Sequence, residues 1–446
     1  MSHHGNISRK LSRRTALRIG AVGGAGLLGL SSVSETAAQE GPTTITECRE
    51  IDESGEYVLG DDLSAEGDCL RITASDVTLD GNGYTLDGDG SGTGLLVESA
   101  GSTVQNLTIQ NFDAGIMLDL SSDVIISSIT VQDNAGTGVV CRQSGDILCE
   151  DSTIRRNDGS GVSLSDYSGL VTMRSCNVTE NGQYPVRAGS SATFAIEHCR
   201  VVDNGGPISF APTPESKIEG TLVSGSDSAG IETNYGDRGI YDDPTPIRNC
   251  VIEGCDGAGI EQPYGFLDLR ECTLSGNRVG YRVPGSTDPY DTILRNCNIE
   301  DNEEYGFIHT TPDGLKPVVS LDATCNWWGH ESGPVHEDNP NENPQGQRIS
   351  GGGVEFVPWS VERVEDGESV CLGRRSVGEF QDQPTDPDGD GLYDDINGDG
   401  ESDVIDVQAL FSNLDDEAIQ SNPSAFDFNG DGSVDVVDVQ KLFNEV

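Results

Sequence analysis

One short phrase of apolar and polar residues recurs through the middle of the chain. It reads small or apolar, polar, branched apolar, two polar, then Asn or Gly. It occurs at Leu107-Thr108-Ile109, Ile129-Thr130-Val131, Ser152-Thr153-Ile154, Cys176-Asn177-Val178 and Cys199-Arg200-Val201. It continues at Thr221-Leu222-Val223, Cys250-Val251-Ile252, Cys272-Thr273-Leu274, Cys297-Asn298-Ile299 and Cys325-Asn326-Trp327. Successive first residues are 22, 23, 24, 23, 22, 29, 22, 25 and 28 positions apart. A second phrase follows within each repeat: Gly94-Leu95, Gly115-Ile116, Gly138-Val139, Gly161-Val162, Gly230-Ile231, Gly259-Ile260, Gly280-Tyr281 and Gly306-Phe307. Alternating segments this short, separated by Asn, Gly and Asp corners, predict β-strands. A fixed period of this size predicts a solenoid, and leucine-rich repeats are excluded because neither their leucine frame nor a helical half is present. The expectation is therefore an all-β parallel β-helix of about ten or eleven coils, each about 4.8 Å above the last. The first residue of each phrase points inward, which stacks Cys176 on Cys199 and aligns Cys250, Cys272, Cys297 and Cys325 as an internal ladder.

Charge changes the picture next. Asp and Glu outnumber Lys and Arg 76 to 26, for a formal net charge of −50. A nucleic-acid or anionic-membrane partner is excluded by repulsion. Only Lys10, Lys217, Lys316 and Lys441 represent lysine, and acid is spread along the whole chain. Such a surface suits a protein from a halophilic source, kept in solution by hydrated carboxylates. At the N-terminus, Ser12-Arg13-Arg14-Thr15-Ala16-Leu17 precedes an apolar run from Ile19 to Leu30 and small residues at Thr36-Ala37-Ala38. That arrangement predicts an export signal over residues 1–39, with an apolar core too short to span a membrane. The arginine pair resembles a twin-arginine signal, which implies an extracellular mature protein with no transmembrane segment.

All twelve cysteines lie between Cys48 and Cys371. An even count in an exported chain favours disulfides over metal ligands, and Cys48 and Cys69 are placed to close a loop that caps the open end. The ladder cysteines read as packing, although neighbours one coil apart fall within disulfide range. Val77-Thr78-Leu79-Asp80-Gly81-Asn82-Gly83, the repeats, Asn326-Trp327-Trp328-Gly329 with Gly333-Pro334, and Val357-Pro358-Trp359 resemble the pectate-lyase-like right-handed, single-stranded β-helix superfamily. The resemblance is closest to its exported carbohydrate-binding and sugar-hydrolysis repeats. It covers residues 43–372, followed by a linker at 373–385, and it speaks for fold more than for reaction.

The last segment carries the sharpest motif. Asp395, Asn397, Asp399, Asp403 and Asp406 set oxygen ligands at loop positions 1, 3, 5, 9 and 12, with Gly400 at the turn and Glu401 offering its carbonyl at position 7. Thirty-two residues later Asp427, Asn429, Asp431, Ser433, Asp435 and Asp438 repeat the frame around Gly432. Clustered oxygen ligands suit calcium. Val407, Leu410, Phe411 and Leu414, then Val439, Leu442, Phe443 and Val446, predict an apolar helix face after each loop. Asp386, Asp388, Asp390 and Asp394 begin a further partial loop. Two loop-helix units with Asp at position 12 resemble a type I dockerin over residues 386–446. The resemblance implies docking to a cohesin-type module through the apolar residues Val404, Ile405, Val436 and Val437.

For chemistry, a column two residues past each repeat glycine predicts outward side chains: Ser163, Arg187, Ser209, Glu232, Glu261 and Arg282. Glu232 and Glu261 fall on neighbouring coils, where like charge raises one pKa and can make an acid–base pair. Arg187 and Arg282 flank them. Tyr235, Tyr241, Tyr264 and Tyr290 in adjoining loops are candidates to stack on sugar rings, and Asp242 and Asp243 on the 29-residue coil are candidates to hold a hydroxyl or calcium. Asp288-Pro289-Tyr290-Asp291 is similar to the Asp-Pro-His-Asp motif of alginate epimerases, with Tyr in place of His. The expected ligand is extracellular polysaccharide, met by a lyase, hydrolase or epimerase; the alternative is a non-catalytic carbohydrate-binding or adhesive surface protein.

Overall fold

A computed structural model describes residues 41–446 apart from 166–168, 190–191, 235–243, 285–290, 311–319, 340, 342, 366–376, 379, 381–383, 388–391, 421 and 422. From Thr43 to Glu355 the chain winds through three parallel sheets of fourteen, eleven and thirteen strands, called here the first, second and third. One coil illustrates the path: Thr103–Gln105 in the first sheet, Thr108–Gln110 in the second and Ala114–Asp119 in the third, before Ser122–Ser127 re-enters the first. Register is conserved from coil to coil, so Ile109 pairs with Val131, Val131 with Ile154, and Ile154 with Val178. Each of these is fully buried. The expected β-helix is present.

Two of the three corners are tight. Between the first and second sheets a single residue adopts a left-handed backbone, as at Asn106 (φ 54°), Asp151 (φ 49°) and Glu271 (φ 58°). Between the second and third sheets the same device recurs at Asn111, Asp133, Arg156, Glu180 and Asp203. Directly after this second corner an asparagine turns inward. Asn134, Asn157, Asn181 and Asn204 are buried and stacked, each Nδ2 donating to the Oδ1 of the next at 2.8, 2.9 and 3.0 Å. The ladder satisfies backbone groups that the corner would otherwise bury unpaired. The repeat glycines have a steric reason: a Cβ on Gly115 would lie 2.6 Å from the carbonyl oxygen of Gly138 and 2.4 Å from a Val131 methyl.

The inward column at the first corner reads Leu107, Ile129, Ser152, Cys176, Cys199, Thr221, Cys250, Cys272 and Cys297, all buried. The thiols of Cys149 and Cys176 are 3.8 Å apart, and Cys176, Cys199, Cys250, Cys272 and Cys297 form no disulfide. Burial pushes the Cys141 thiol up to about 12 and Cys255 to about 11, so these two are inert at neutral pH. Cys325 departs from expectation. It occupies the left-handed corner itself (φ 61°) and is disulfide-bonded, and Asn326 takes the inward place. The Asn326 amide accepts from the Cys297 N–H at 2.8 Å and donates to two carbonyls, which a thiol cannot do as well. Cys48 and Cys69 form the expected disulfide near the start of the coils.

The third corner, from the third sheet back to the first, varies in length. It joins Asp119 to Ser122 but Thr233 to Thr245 and His309 to Ser320. Most of the variation in spacing between Leu107 and Cys325 is accommodated there; in the last coil residues 328–348 instead separate Trp327, paired with Asn298, from Ile349 of the third sheet.

The C-terminal module has its own core of Val377, Ile396, Val407, Leu410, Ile419, Phe426 and Leu442. Helices α1 (Val404–Ser412), α2 (Glu417–Gln420) and α3 (Val436–Leu442) surround it. Val377 lies in the segment read as linker yet is fully buried in this core, so the module's packing begins before residue 386. Phe411 and Phe443, expected on the buried helix faces, are 59% and 58% exposed, and Val446 is exposed as well. The buried stripe of α1 is Asp406, Val407, Ala409 and Leu410, too narrow to include Phe411. No helix among the described residues is long and apolar enough to cross a membrane.

Candidate functional site

The third sheet carries the predicted column. Arg187 pairs in register with Ser209, Ser209 with Glu232, Glu232 with Glu261, and Glu261 with Arg282. Their neighbours Val186, Ile208, Ile231, Ile260 and Tyr281 are buried, which turns Arg187, Glu232, Glu261 and Arg282 outward, whereas Ser209, expected among them, is buried, its hydroxyl hydrogen-bonded by Asn234. Glu232 and Glu261 are half-buried on adjacent strands, with Cα atoms about 4.8 Å apart. Burial, and after it the charge of Glu261, hold the Glu232 carboxyl above its ordinary value. The Arg282 guanidinium stands 3.9 Å from the Glu261 carboxylate. The two acids thus have different surroundings, the condition under which one can give a proton and the other take one.

Around the pair, Asn234 donates from Nδ2 to the Ser209 hydroxyl at 2.7 Å. The Thr233 hydroxyl donates to the Tyr264 carbonyl at 2.7 Å, and Tyr264, three residues past Glu261, is 38% exposed. Arg187 lies with its guanidinium 5.4 Å from the centre of the Tyr184 ring. Tyr235, Tyr241, Asp242, Asp243 and Tyr290 lie outside the described residues.

Two clefts are lined by described residues away from Glu232 and Glu261. One of about 440 Å³ runs along the second sheet by Asn249, Glu271, Asn296 and Arg363. The other, of about 470 Å³, opens beside Glu303, Glu304, Tyr305, Gln347 and Arg348 at the last coils of the third sheet. The sequence carries one signal for the latter, an aromatic residue directly before the repeat glycine in Tyr305-Gly306-Phe307.

In the C-terminal module the two ligand loops are near copies. Asp395 is fully buried and its carboxylate accepts from the backbone N–H of Gly398, Asp399 and Gly400 at 2.8, 3.0 and 2.9 Å. Asp427 does the same for Gly430, Asp431 and Gly432. Asp406 and Asp438, both fully buried, close the loops onto Asn397 and Asn429 at 3.0 Å each. Asp403 and Asp435 cap α1 and α3 in paired capping boxes. Ser433 donates its hydroxyl to Asp431, which holds that carboxyl below its usual range. Glu401 is exposed, its N–H donating to Asp399.

Among the described residues no three acidic, His or Cys side chains converge as a ready cage, because the loop carboxylates turn onto backbone N–H groups. The donor chemistry nevertheless fits a hard cation. Burial, and to a lesser degree the charge of Asp395, push Asp406 up, an unbalanced pair of oxygens that a divalent ion would neutralise. In the proposed further loop, Asp386 is half-buried and the Asp394 carbonyl accepts from the Ser402 hydroxyl. Asp388 and Asp390 lie outside the described residues. Val404, Ile405, Val436 and Val437 are exposed at the N-terminal ends of α1 and α3.

Residues 44–193 and 137–290 match the right-handed β-helix region family, and residues 393–446 match the dockerin type I domain. No curated protein matches the chain. Among solved structures the chain is similar to the A-module of mannuronan C-5 epimerase AlgE6 from Azotobacter vinelandii. The two are 16% identical with a TM-score of 0.51, covering 68% of this chain and 91% of that one. The AlgE4 A-module from the same organism is 13% identical with a TM-score of 0.43, covering 71% and 86%. The catalytic unit of a GH87 α-1,3-glucanase from Streptomyces thermodiastaticus strain HF3-3 is 12% identical with a TM-score of 0.37, covering 71% and 63%. At these identities the likeness is one of fold.

Proposed function

Since the chain belongs to the right-handed β-helix family, we propose that it is an exported protein that binds and processes polysaccharide, held in place by a calcium-dependent dockerin. The observation that carries the reading is the in-register pair Glu232–Glu261, two half-buried carboxyls on neighbouring coils with different surroundings. Glu232, held toward its protonated form, is the general acid for the glycosidic oxygen. Glu261, facing Arg282, is the base or nucleophile. One coil of rise, about 4.8 Å, is close to the spacing of about 5 Å that a nucleophile and an acid need without an intervening water. Arg187 and Tyr264 border the column and orient the chain of sugars. In the module, Asp395, Asn397, Asp399 and Asp406, with Asp427, Asn429, Asp431 and Asp438, would hold calcium, which supplies a charge centre that fixes each loop against its helix. Val404, Ile405, Val436 and Val437 then face a cohesin-type partner. The arginine pair Arg13-Arg14 supports twin-arginine export to the cell exterior.

The test is a screen of the purified full chain against neutral and acidic polysaccharides for new reducing ends and for unsaturated products. With an active substrate in hand, Glu261→Gln abolishes turnover while the circular dichroism spectrum is unchanged; full activity in that variant removes the pair from catalysis. A non-catalytic carbohydrate binder is the second reading, and the position of the two clefts away from the pair favours it.

A further inference from the structure

The cleft at the last coils opens at the edge of the third sheet, where Asn302 to Tyr305 turn in from the second sheet, upstream of the strand that continues the carboxyl column. Tyr305 opens the strand Tyr305–His309, and Arg348 leads into Ile349–Ser350, which stacks on it. Register runs from Glu261 to Arg282 to Ile308, so Ile308 stands two coils above Glu261 and Tyr305 three residues upstream of Ile308. With about 4.8 Å per coil and about 3.3 Å per residue, Tyr305 lies roughly 14 Å from Glu261 across the sheet.

The cleft presents an aromatic ring, an amide and charged groups to solvent. The Arg348 guanidinium is 5.7 Å from the centre of the Tyr305 ring, a stacked arrangement that stiffens both side chains. Gln347 lies half-buried beside them, and Val335 supplies an apolar wall. Glu303 and Glu304 are exposed, and neither is ion-paired with another described residue. Such a mixture, one aromatic surface with convergent hydrogen-bonding groups, suits a polyhydroxylated ring more than an apolar ligand.

Charge selects the class of sugar. A polymer crossing the third sheet to this cleft meets Glu232, Glu261, Glu303 and Glu304 on a chain whose formal charge is −50. Of the cations nearby, Arg282 faces Glu261, while Arg187 and Arg348 stack on the Tyr184 and Tyr305 rings, which orients them without cancelling their charge. Arg278, one coil below Glu304 through the Glu304 N–H to Arg278 carbonyl bond, is in no ion pair with Glu303 or Glu304 among the described residues. A uronate or sulfate facing a glutamate at 4 Å is repelled by about 1 kcal/mol even in water. Neutral hydroxyls instead donate hydrogen bonds to the same carboxylates.

We propose that this cleft is a binding subsite for an uncharged polysaccharide that crosses the third sheet between the Glu232–Glu261 pair and the Tyr305–Arg348 stack. The inference rests on the polysaccharide reading above and adds a second anchoring point and a charge class to it.

The experiment is affinity electrophoresis of the full chain, with calcium present, through gels containing laminarin, arabinoxylan, dextran, alginate or polygalacturonate. Wild type is retarded by at least one neutral probe and by neither acidic one. Tyr305→Ala weakens that retardation tenfold or more and Gln347→Ala severalfold. If Tyr305→Ala misfolds by circular dichroism, Gln347→Ala alone decides. Undiminished neutral binding in the cleft variants overturns the subsite while the polysaccharide reading stands. Retardation by alginate or polygalacturonate in preference to the neutral probes overturns the charge class. Absence of retardation in every gel removes the polysaccharide reading itself, and the subsite with it.

Discussion

The asparagine ladder is the part of the fold whose energetics can be worked from single contacts. Asn157 accepts at Oδ1 from the Asn134 backbone N–H at 3.2 Å and from Asn134 Nδ2 at 2.8 Å. It donates from Nδ2 to Asn181 Oδ1 at 2.9 Å and to the Val131 carbonyl at 3.3 Å. Asn157→Ala therefore orphans two buried donors of Asn134, while Asn181 Oδ1 keeps the Asn157 backbone N–H as a partner. At about 1–3 kcal/mol for each buried group left unsatisfied, the variant loses about 2–6 kcal/mol. In an Asn134→Ala background one of the two donors is already gone, so the same substitution costs about half as much, a coupling of about 1–3 kcal/mol. Urea titration of the full chain, followed by far-ultraviolet circular dichroism at fixed calcium, reads both quantities from the midpoints if the slope is constant. A single-variant loss below about 0.5 kcal/mol, or strict additivity in the double variant, would refute the view that the ladder pairs buried donors.

Other outcomes follow from the charged groups. Glu232 binds its proton more tightly folded than unfolded, so its contribution to stability declines as pH rises from about 4.5 through the folded value. Melting curves of wild type and Glu232→Gln should diverge across that range, and parallel profiles would show that the pair is not coupled to folding. Chelating calcium from the full chain should reduce the helical signal at 222 nm and leave the β signal intact, because the metal energy and the folding of so small a core are joined. Asp406→Ala and Asp438→Ala should each reproduce part of that loss; spectra indifferent to chelator would separate the loops from calcium.

Much of the solenoid was legible because its signal is repeated. The inward place of Cys176, Cys199, Cys250, Cys272 and Cys297 follows from a period that ten phrases share. Where the signal occurs once, local chemistry decides. At the last phrase the period predicts Cys325 inward, but Asn326 takes that place because its amide satisfies the Cys297 N–H and two carbonyls together. Phe411 misled for a related reason: helical spacing identifies an apolar stripe but not how wide a stripe a small core can cover. The register of Glu232 on Glu261 was readable from the column. The cleft at Tyr305 was not, since Arg348 arrives from 43 residues further along the chain, outside any repeat.

The unequal corners divide the molecule into a ruler and a margin. The corner between the first and second sheets sets the framework, its inward residues five apart from Val104 and Ile109 to Leu294 and Ile299, whereas the second corner takes seven residues from Ile109 to Ile116 and nine from Leu86 to Leu95 in coils that still pair in register. The third corner already spans gaps as different as Asp119 to Ser122 and Thr233 to Thr245 without disturbing the pairing on either side. Tyr235, Tyr241, Asp242, Asp243 and Tyr290 all fall within such gaps. New recognition loops can therefore be grafted at that one edge, several at a time and stacked about 4.8 Å apart, while the framework that spaces them stays as it is.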